Sequence, residues 1–488
     1  MKSIGVIIFI MPEIKAPTNL ILFGFTGDLV QKKVIPSLFH LYKEGRLPEL
    51  FNVVGFSRRT LTVDEVQEII FTSLENHPDL GKNARPQDMI AFAKKFQYIS
   101  GDFVDQSSYT AMGNILGRVD ESWSTCSNKL FHLAVPPKYY KEIFLQLKKS
   151  NLTKPCGADE GWTRVIVEKP FGRDLKTAKE LDMLLGKLFK EEQIYRIDHY
   201  LGKEMMENIL MFRFANNLLE PVWNSKHIEK IEVEVLEKTD IGSRGVFYDE
   251  VGALRDIGQN HLLQMLALVL MENPYKNGPR ESLRTKRAKL LKELSKTKVN
   301  PNKNSYRGQY TGYTKTEGVD KQSFTETYFL LKTQVSNQTW QEMPIYIECG
   351  KSMEQTNKKI KVTFKPLNSF GHHNRLTIDL DGDDAGIYID LWAKKPGLGL
   401  VPEKRTLSFS LCDNRDECTN NSEEYESLIY DCLEGNQMRF LTTDELQYMW
   451  KVVDPVLKSW QKQKHNGLKL YKKGTEQIRQ DARARVGI

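Results

Sequence analysis

The feature that most restricts the fold is a strand, a glycine turn and a helix in direct succession near the amino terminus. Leu20-Ile21-Leu22-Phe23 is apolar, Gly24-Phe25-Thr26-Gly27-Asp28 interrupts it, and Leu29, Ile35, Leu38 and Leu41 then recur at helical spacing. More strands follow at residues 52–57, 96–99, 130–135 and 164–167, with helical stretches between them. Strand and helix in alternation imply a mostly parallel sheet. Two glycines in the first turn let a pyrophosphate approach the backbone, although a plain strand–turn–helix has the same spacing.

The end of the second strand bears on the choice of cofactor. An acid there accepts from a ribose 2′-hydroxyl, but here Ser57, Arg58 and Arg59 stand at the strand end. A guanidinium pairs bidentately with a 2′-phosphate, which favours NADP over NAD. The strand at 164–167 leads into Glu168-Lys169-Pro170-Phe171-Gly172 and delivers an amine to the carboxyl edge of the sheet, where ligands bind in such folds.

Beyond residue 197 the pattern changes. Ile228 to Leu236 alternates, and alternation recurs at 344–349, 360–364, 375–380, 387–392 and 406–411. Strands without intervening helices predict a large, mainly antiparallel sheet and an α+β domain. The basic, turn-rich stretch 272–310 reads as a solvated helix and surface excursion. The predicted division is an extension over 1–17, a Rossmann-like domain over 18–197 and an α+β domain over 198–488.

Two clusters carry chemistry. Arg196-Ile197-Asp198-His199-Tyr200-Leu201-Gly202-Lys203-Glu204 packs an acid, an imidazole, a phenol and an amine around a glycine. In a helix, His199, Tyr200 and Lys203 point one way and suit an anion, while Asp198 would repel that anion and suits an imidazole instead. In the second cluster Leu254, Ile257, His261, Met265 and Leu268 form one helical stripe. His261 is then either a core histidine or, with a carboxylate to set its tautomer, a general base. Gly258 in mid-helix hints at close packing.

The 488 residues carry a net charge of +7, modest at this size and compatible with anionic small molecules. There is no basic stripe or RNA-binding signature, so no nucleic-acid partner is expected. Six cysteines without a C-x-x-C pair or zinc-ligand spacing predict no metal and fit a reducing cytoplasm better than a secreted framework. The opening MKSIGVIIFI is too short for a membrane span and lacks a cleavage site, and Met11 is an alternative start.

Taken together, R-I-D-H-Y-L-G-K-E at 196–204, E-K-P-F-G at 168–172, G-x-x-G-D-L at 24–29 and D-x-x-Q-N-H-L-L-Q at 256–264 resemble the glucose-6-phosphate dehydrogenase family. A-x-P-P at 134–137, E-P-x-W-N at 220–224, R-G-Q-Y at 307–310 and K-K-P-G at 394–397 add to the resemblance, which covers roughly Leu20 to Trp460. It implies oxidation of C1 of glucose 6-phosphate to 6-phosphogluconolactone with NADP, the first step of the oxidative pentose phosphate pathway. By the same resemblance His261 is the general base and Asp198 steadies its imidazolium. His199, Tyr200, Lys203 and Lys351 match the 6-phosphate pocket, and Glu237 and Asp256 match contacts to sugar hydroxyls. Lys169 matches an amine bridging substrate and cofactor, while Gly24, Phe25, Thr26, Gly27, Asp28, Leu29, Val30, Gln31, Arg58 and Tyr140 match the NADP side. The family relation implies self-association, as a homodimer or homotetramer through the large sheet.

Three departures from the family pattern stand out. Phe25 and Val30 replace smaller residues in the loop, and Gln31 stands where Lys is common, which predicts reshaped pyrophosphate contacts. Thr356 occupies the place of a second base five residues beyond Lys351, leaving Lys358 or Lys359 as substitutes. The rival readings are a dehydrogenase of another aldose 6-phosphate or of glucose itself, and a non-catalytic NADP sensor. Intact His199, Tyr200 and Lys203 oppose an unphosphorylated sugar. The presence of both Asp198 and His261 opposes the sensor.

Overall fold

The computed structural model describes residues 14–155, 161–275, 282–367, 371–382, 384–410 and 423–488. The apolar decapeptide, Met11, Cys156, Cys412 and Cys418 lie outside the described residues. The chain forms two compact units. The first gathers the residues up to Lys169, Glu180–Gly202 and 423–440; the second gathers Pro170–Lys179, 203–410 and 441–488.

The first unit is built on β1 (Thr18–Phe23), β2 (Phe51–Ser57), β3 (Phe96–Ser100), β4 (Asn128–Leu133), β5 (Thr163–Val167) and β6 (Ile194–Ile197). With β15 (Phe440–Leu441) beside β6, the spatial order is β15-β6-β5-β4-β1-β2-β3. Each pair among β1–β6 is parallel, and the order reverses between β1 and β4. This is the doubly wound arrangement predicted from the alternation, with its ligand crevice at the reversal. β1, β2 and β4 are buried along their whole length, which is why they read as apolar runs. Helix Glu424–Glu434 returns from late in the chain to this unit, and Leu428, Ile429 and Leu433 join its core.

The second unit holds a nine-stranded sheet of β7 (Ile228–Leu236), β8 (Ser305–Tyr310), β9 (Tyr328–Thr333), β10 (Ile345–Gly350), β11 (Asn357–Phe364), β12 (Arg375–Asp379), β13 (Gly386–Lys394), β14 (Pro402–Ser410) and β16 (Leu468–Tyr471). The order is β14-β13-β12-β11-β7-β10-β9-β8-β16, antiparallel except at β7/β10 and β8/β16. Within 272–310 the expected helix is present over Leu283–Lys296 with Lys289, Lys292 and Lys296 exposed, but it also buries Arg287, whose Nε donates to Glu445 at 2.6 Å, so one face of it is core. Residues 305–310 form β8, a sheet strand, not a surface excursion.

Cys349 and Cys432 are free and buried. Cys126 departs from the expectation of reduced cysteines: it is disulfide-bonded. No described helix is long and apolar enough to cross a membrane.

Candidate active site

In the first unit the phosphate loop sits at the sheet reversal. Gly24 has φ +84°, and a Cβ there would stand 2.4 Å from the carbonyl oxygen of Ala134 at the end of β4. Only glycine fits such a cradle. Gly27 N–H donates to the Gly24 carbonyl at 2.8 Å and Gln31 N–H to Gly27 at 3.2 Å, closing the turn onto the helix. The residues present fit a dinucleotide.

The departures at Phe25 and Val30 point into the core. Both side chains are fully buried in the core, with Phe25 against Phe96 and Tyr98 and packed so close to Gly55 that no Cβ would fit there. Gln31 folds back and donates from Nε2 to the Thr26 carbonyl at 2.9 Å, bracing the turn. Asp28 pairs with Lys32 at 2.7 Å on the surface. The helix that follows has a π-turn over Val30–Val34 before the α-helix Ile35–Lys43. Pro36 explains it, because a proline ring crowds the carbonyl four residues earlier and a wider turn relieves the contact.

Arg58 is exposed just past β2, with its guanidinium 5.6 Å from the Tyr139 ring centroid. Thr26 Oγ1 lies 3.5 Å from Ser57 Oγ, so loop and strand end are adjacent. Tyr140 is buried and donates to the backbone carbonyl of Glu168 at 2.9 Å. Glu168 itself is held by His132 Nε2 at 2.9 Å and by the Tyr425 hydroxyl, 3.1 Å from each carboxylate oxygen. The half-buried Lys169 follows directly and inherits this anchorage. Sequence reasoning missed His132 and Tyr425, because one lies inside an apolar strand and the other 257 positions from Glu168.

The 196–204 cluster is not one helical face. His199–Gly202 is a 3-10 turn, Lys203 is extended (φ −70°, ψ 133°), and helix Glu204–Phe214 starts after it. Gly202 is the reason, since a Cβ there would meet the Glu424 carbonyl at 2.7 Å and close backbone packing displaces a regular helix. Asp198 is 1% exposed and accepts from Tyr200 N–H at 3.1 Å through Oδ1. The His199 and Tyr200 rings lie 5.2 Å apart.

In the second unit His261 is fully buried, on a π-helix over Leu254–Leu262 and not on the expected α-helical stripe. Gly252 (φ +70°) turns the chain into this helix, and a Cβ there would collide with the Glu326 carboxylate at 2.6 Å. That carboxylate accepts from Leu254 N–H at 3.0 Å; burial pushes its pKa up, against the hydrogen bond that opposes the shift. Asn260 stitches the wide turns, donating from Nδ2 to the Asp256 carbonyl at 3.0 Å and accepting from His261 N–H at 2.6 Å. Gly258 is indeed closely packed: a Cβ would meet Leu254 and Phe329, each at 2.7 Å. Asp256 lies 3.8 Å from Arg244.

The π-helix packs on β7 and β10, whose parallel ends set the next residues side by side. Glu237 N–H donates to the Gly350 carbonyl at 2.8 Å, and Lys351 Nζ forms an ion pair with the Glu237 carboxylate. Thr356, in place of a base, accepts from Lys238 N–H at 3.2 Å. Lys358 and Lys359 face opposite ways on β11. Lys359 pairs with Asp379 at 2.9 Å, whereas Lys358 pairs with Asp381, which also lies 3.7 Å from Lys203. Burial of Asp381 opposes its charge, yet the Lys358 hydrogen bond and the Lys203 charge hold its pKa below the ordinary value. Among the described residues no His, Cys, Asp and Glu group could hold a metal ion.

Comparison with known proteins agrees with these two halves. The family description "Glucose-6-phosphate dehydrogenase, NAD binding domain" matches residues 21–208, and "Glucose-6-phosphate dehydrogenase, C-terminal domain" matches 210–484. The glucose-6-phosphate 1-dehydrogenase of Bacillus subtilis is 35% identical over 459 residues, covering 90% of this chain and 91% of the relative. That of Chlamydia muridarum is 35% identical over 470 residues, covering 91% of each. A solved glucose-6-phosphate dehydrogenase in complex with its substrate glucose-6-phosphate superposes with a TM-score of 0.88 at 31% identity, covering 98% of this chain and 99% of that one. With both domains matched in order across residues 21–208 and 210–484, the chain belongs to the glucose-6-phosphate dehydrogenase family.

Proposed function

We propose that this chain oxidises C1 of β-D-glucose 6-phosphate to 6-phospho-D-glucono-1,5-lactone, opening the oxidative pentose phosphate pathway, with NADP⁺ supplying the hydride acceptor. The observation that carries the reading is the ordered match of both family domains along residues 21–208 and 210–484. In this reading His261 accepts the proton of the 1-hydroxyl and Asp198 stabilises the resulting imidazolium. Removing that proton avoids a charged oxocarbenium as the hydride departs. Burial of His261 supports its part in this reading, since it shields the base from water.

His199, Tyr200, Lys203 and Lys351 take the 6-phosphate, and Glu237 and Asp256 accept from sugar hydroxyls. The pair between Lys351 and Glu237 keeps that cation oriented before substrate arrives. Lys358 is the substitute for the base missing at Thr356, supported by the carboxylate of Asp381 that it shares with Lys203. Residues Gly24 to Gln31 cradle the pyrophosphate, Arg58 pairs with the 2′-phosphate, and Tyr140 and Lys169 complete the nicotinamide side. Strict preference for NADP rests on Arg58 and the lack of an acid after β2.

Exposed Leu391, Trp392, Leu407 and Phe409 on β13 and β14 support self-association through the large sheet. The phosphorylated substrate and cofactor, which do not cross bilayers unaided, support a cytoplasmic site of action. The test follows the near-ultraviolet absorbance of reduced nicotinamide with purified protein. Glucose 6-phosphate with NADP⁺ is expected to give turnover, and free glucose little. Equal rates with glucose would contradict the substrate assignment, and equal kcat/KM for NAD⁺ and NADP⁺ the cofactor preference.

A further inference from the structure

The carboxyl-terminal part of the second unit holds a cavity of about 640 Å³ that the proposed reaction does not use. Residues from β8, β16, the long helix Thr443–Gln463 and the helix Gln477–Val486 line it. Arg307 on β8 is 2% exposed, with its guanidinium 5.6 Å from the ring centroid of buried Trp460. Its Nη2 donates to the Asn466 carbonyl at 3.0 Å and to that of Lys464, but its Nε has no hydrogen-bond partner. A buried guanidinium left short of an acceptor is costly, and an anion nearby would offset that cost.

The lining is also unbalanced in charge. Lys469 and Arg485 stand exposed at the cavity, and among the described residues neither has an ion-pair partner. Asp481, which accepts from Gln477 at 2.8 Å, is the one acid among the lining residues. Three cations against one carboxylate make a positive potential. The space is that of an organic ligand, since small-molecule sites run to about 300–1,000 Å³. Orthophosphate alone would leave most of it empty.

We propose that this cavity binds a nucleoside polyphosphate. Its phosphates meet Lys469, Arg485 and Arg307, and its base lies along the half-buried Tyr306, where aromatic surface stacks with any base. Such a ligand joins β16 to the helix Gln477–Val486. Arg479 and Arg483 of that helix pair with the buried Glu234, Glu348 and Glu232 of the large sheet. Binding therefore holds the last helix onto the sheet and stabilises the second unit, as any ligand of the folded state does.

The test uses the full-length protein with NADP⁺ at saturation, so that the dinucleotide loop is filled, and ATP as probe. Equilibrium dialysis is expected to show a single equivalent of ATP retained, and thermal melting a rise with ATP concentration. Lys469→Glu with Arg485→Glu is expected to weaken ATP about tenfold or more, as for lost charge-assisted hydrogen bonds, with turnover of glucose 6-phosphate unchanged. The proposal is overturned if NADP⁺ displaces the ATP, if the double variant binds ATP as tightly as the parent, or if no retention occurs. Tripolyphosphate matching ATP would overturn the part assigned to the base.

Discussion

Two stretches of π-helix, Val30–Val34 in the first unit and Leu254–Leu262 in the second, arise from different causes and have different parts in the proposed reaction. The first is short and follows from Pro36. Its buried side chains, Val30 and Val34, belong to the core, so the upstream loop works through backbone N–H groups and the close approach at Gly24. The second is nine residues long and carries Asp256, Gln259, Asn260 and His261, all buried. There the side chains carry the proposed chemistry, and Glu326, Gly252 and Asn260 maintain a turn that an ordinary helix would not adopt. A backbone site tolerates exchange of its side chains but not of its glycine. A side-chain site has the opposite sensitivity.

The contrast can be broken at either end. The largest expected effect is at His261→Ala, which should lower kcat by at least ~10² while KM for glucose 6-phosphate changes little, as for a lost general base. A near-normal kcat would remove His261 from the chemistry and leave the π-helix structural. Next is Gly24→Val. Left-handed backbone costs a residue with Cβ about 1–2 kcal/mol, before the overlap with Ala134 is counted. NADP⁺ titration should therefore show affinity reduced about tenfold or more, whereas Phe25→Leu, changing only a core side chain, should leave that affinity nearly intact. Equal losses in the two would deny the backbone character of the loop.

Arg58→Ala sharpens the cofactor half. It should raise KM for NADP⁺ by about tenfold, the scale of a charge-assisted hydrogen bond, and leave KM for NAD⁺ nearly constant. Equal changes for both would dismiss the 2′-phosphate assignment. The smallest effect concerns His40, on the helix after the first π-turn. The Glu426 carboxylate, 3.3 Å away, raises its pKa by hydrogen bonding, against a smaller opposing effect of burial. A raised folded value means the pair stabilises below pH 6.5 and loses that contribution as pH climbs through the folded pKa. The melting-temperature gap between the parent and His40→Gln should thus narrow with rising pH. A gap that widens would contradict the direction.

Much of this was legible in the sequence because burial writes itself as pattern. The apolar runs of β1 and β4 and the alternation of β7 led to the two sheets. β9 escaped for a physical reason: Tyr328-Phe329-Leu330-Leu331 is covered on both faces, so nothing alternates. β8 and β16 escaped because Arg307 and Lys469 make them look like surface. For the candidate site, short motifs singled out His261, Asp198 and Lys203 by residue identity alone, while their local geometry was not legible. Helical spacing suggested one face for His199, Tyr200 and Lys203, and tight packing at Gly202 made it a 3-10 turn. The same limit hid His132, Tyr425 and Asp381, whose roles depend on partners far away along the chain.

In the proposed mechanism Asp198 and His261 act as one unit, and a double-mutant cycle on kcat distinguishes joint from independent roles. Asp198→Asn and His261→Ala are measured singly and together with saturating glucose 6-phosphate and NADP⁺. The double variant is expected to be scarcely slower than His261→Ala alone, because the carboxylate has nothing to steady once the imidazole is gone. Losses that multiply would show two independent roles and contradict the pairing.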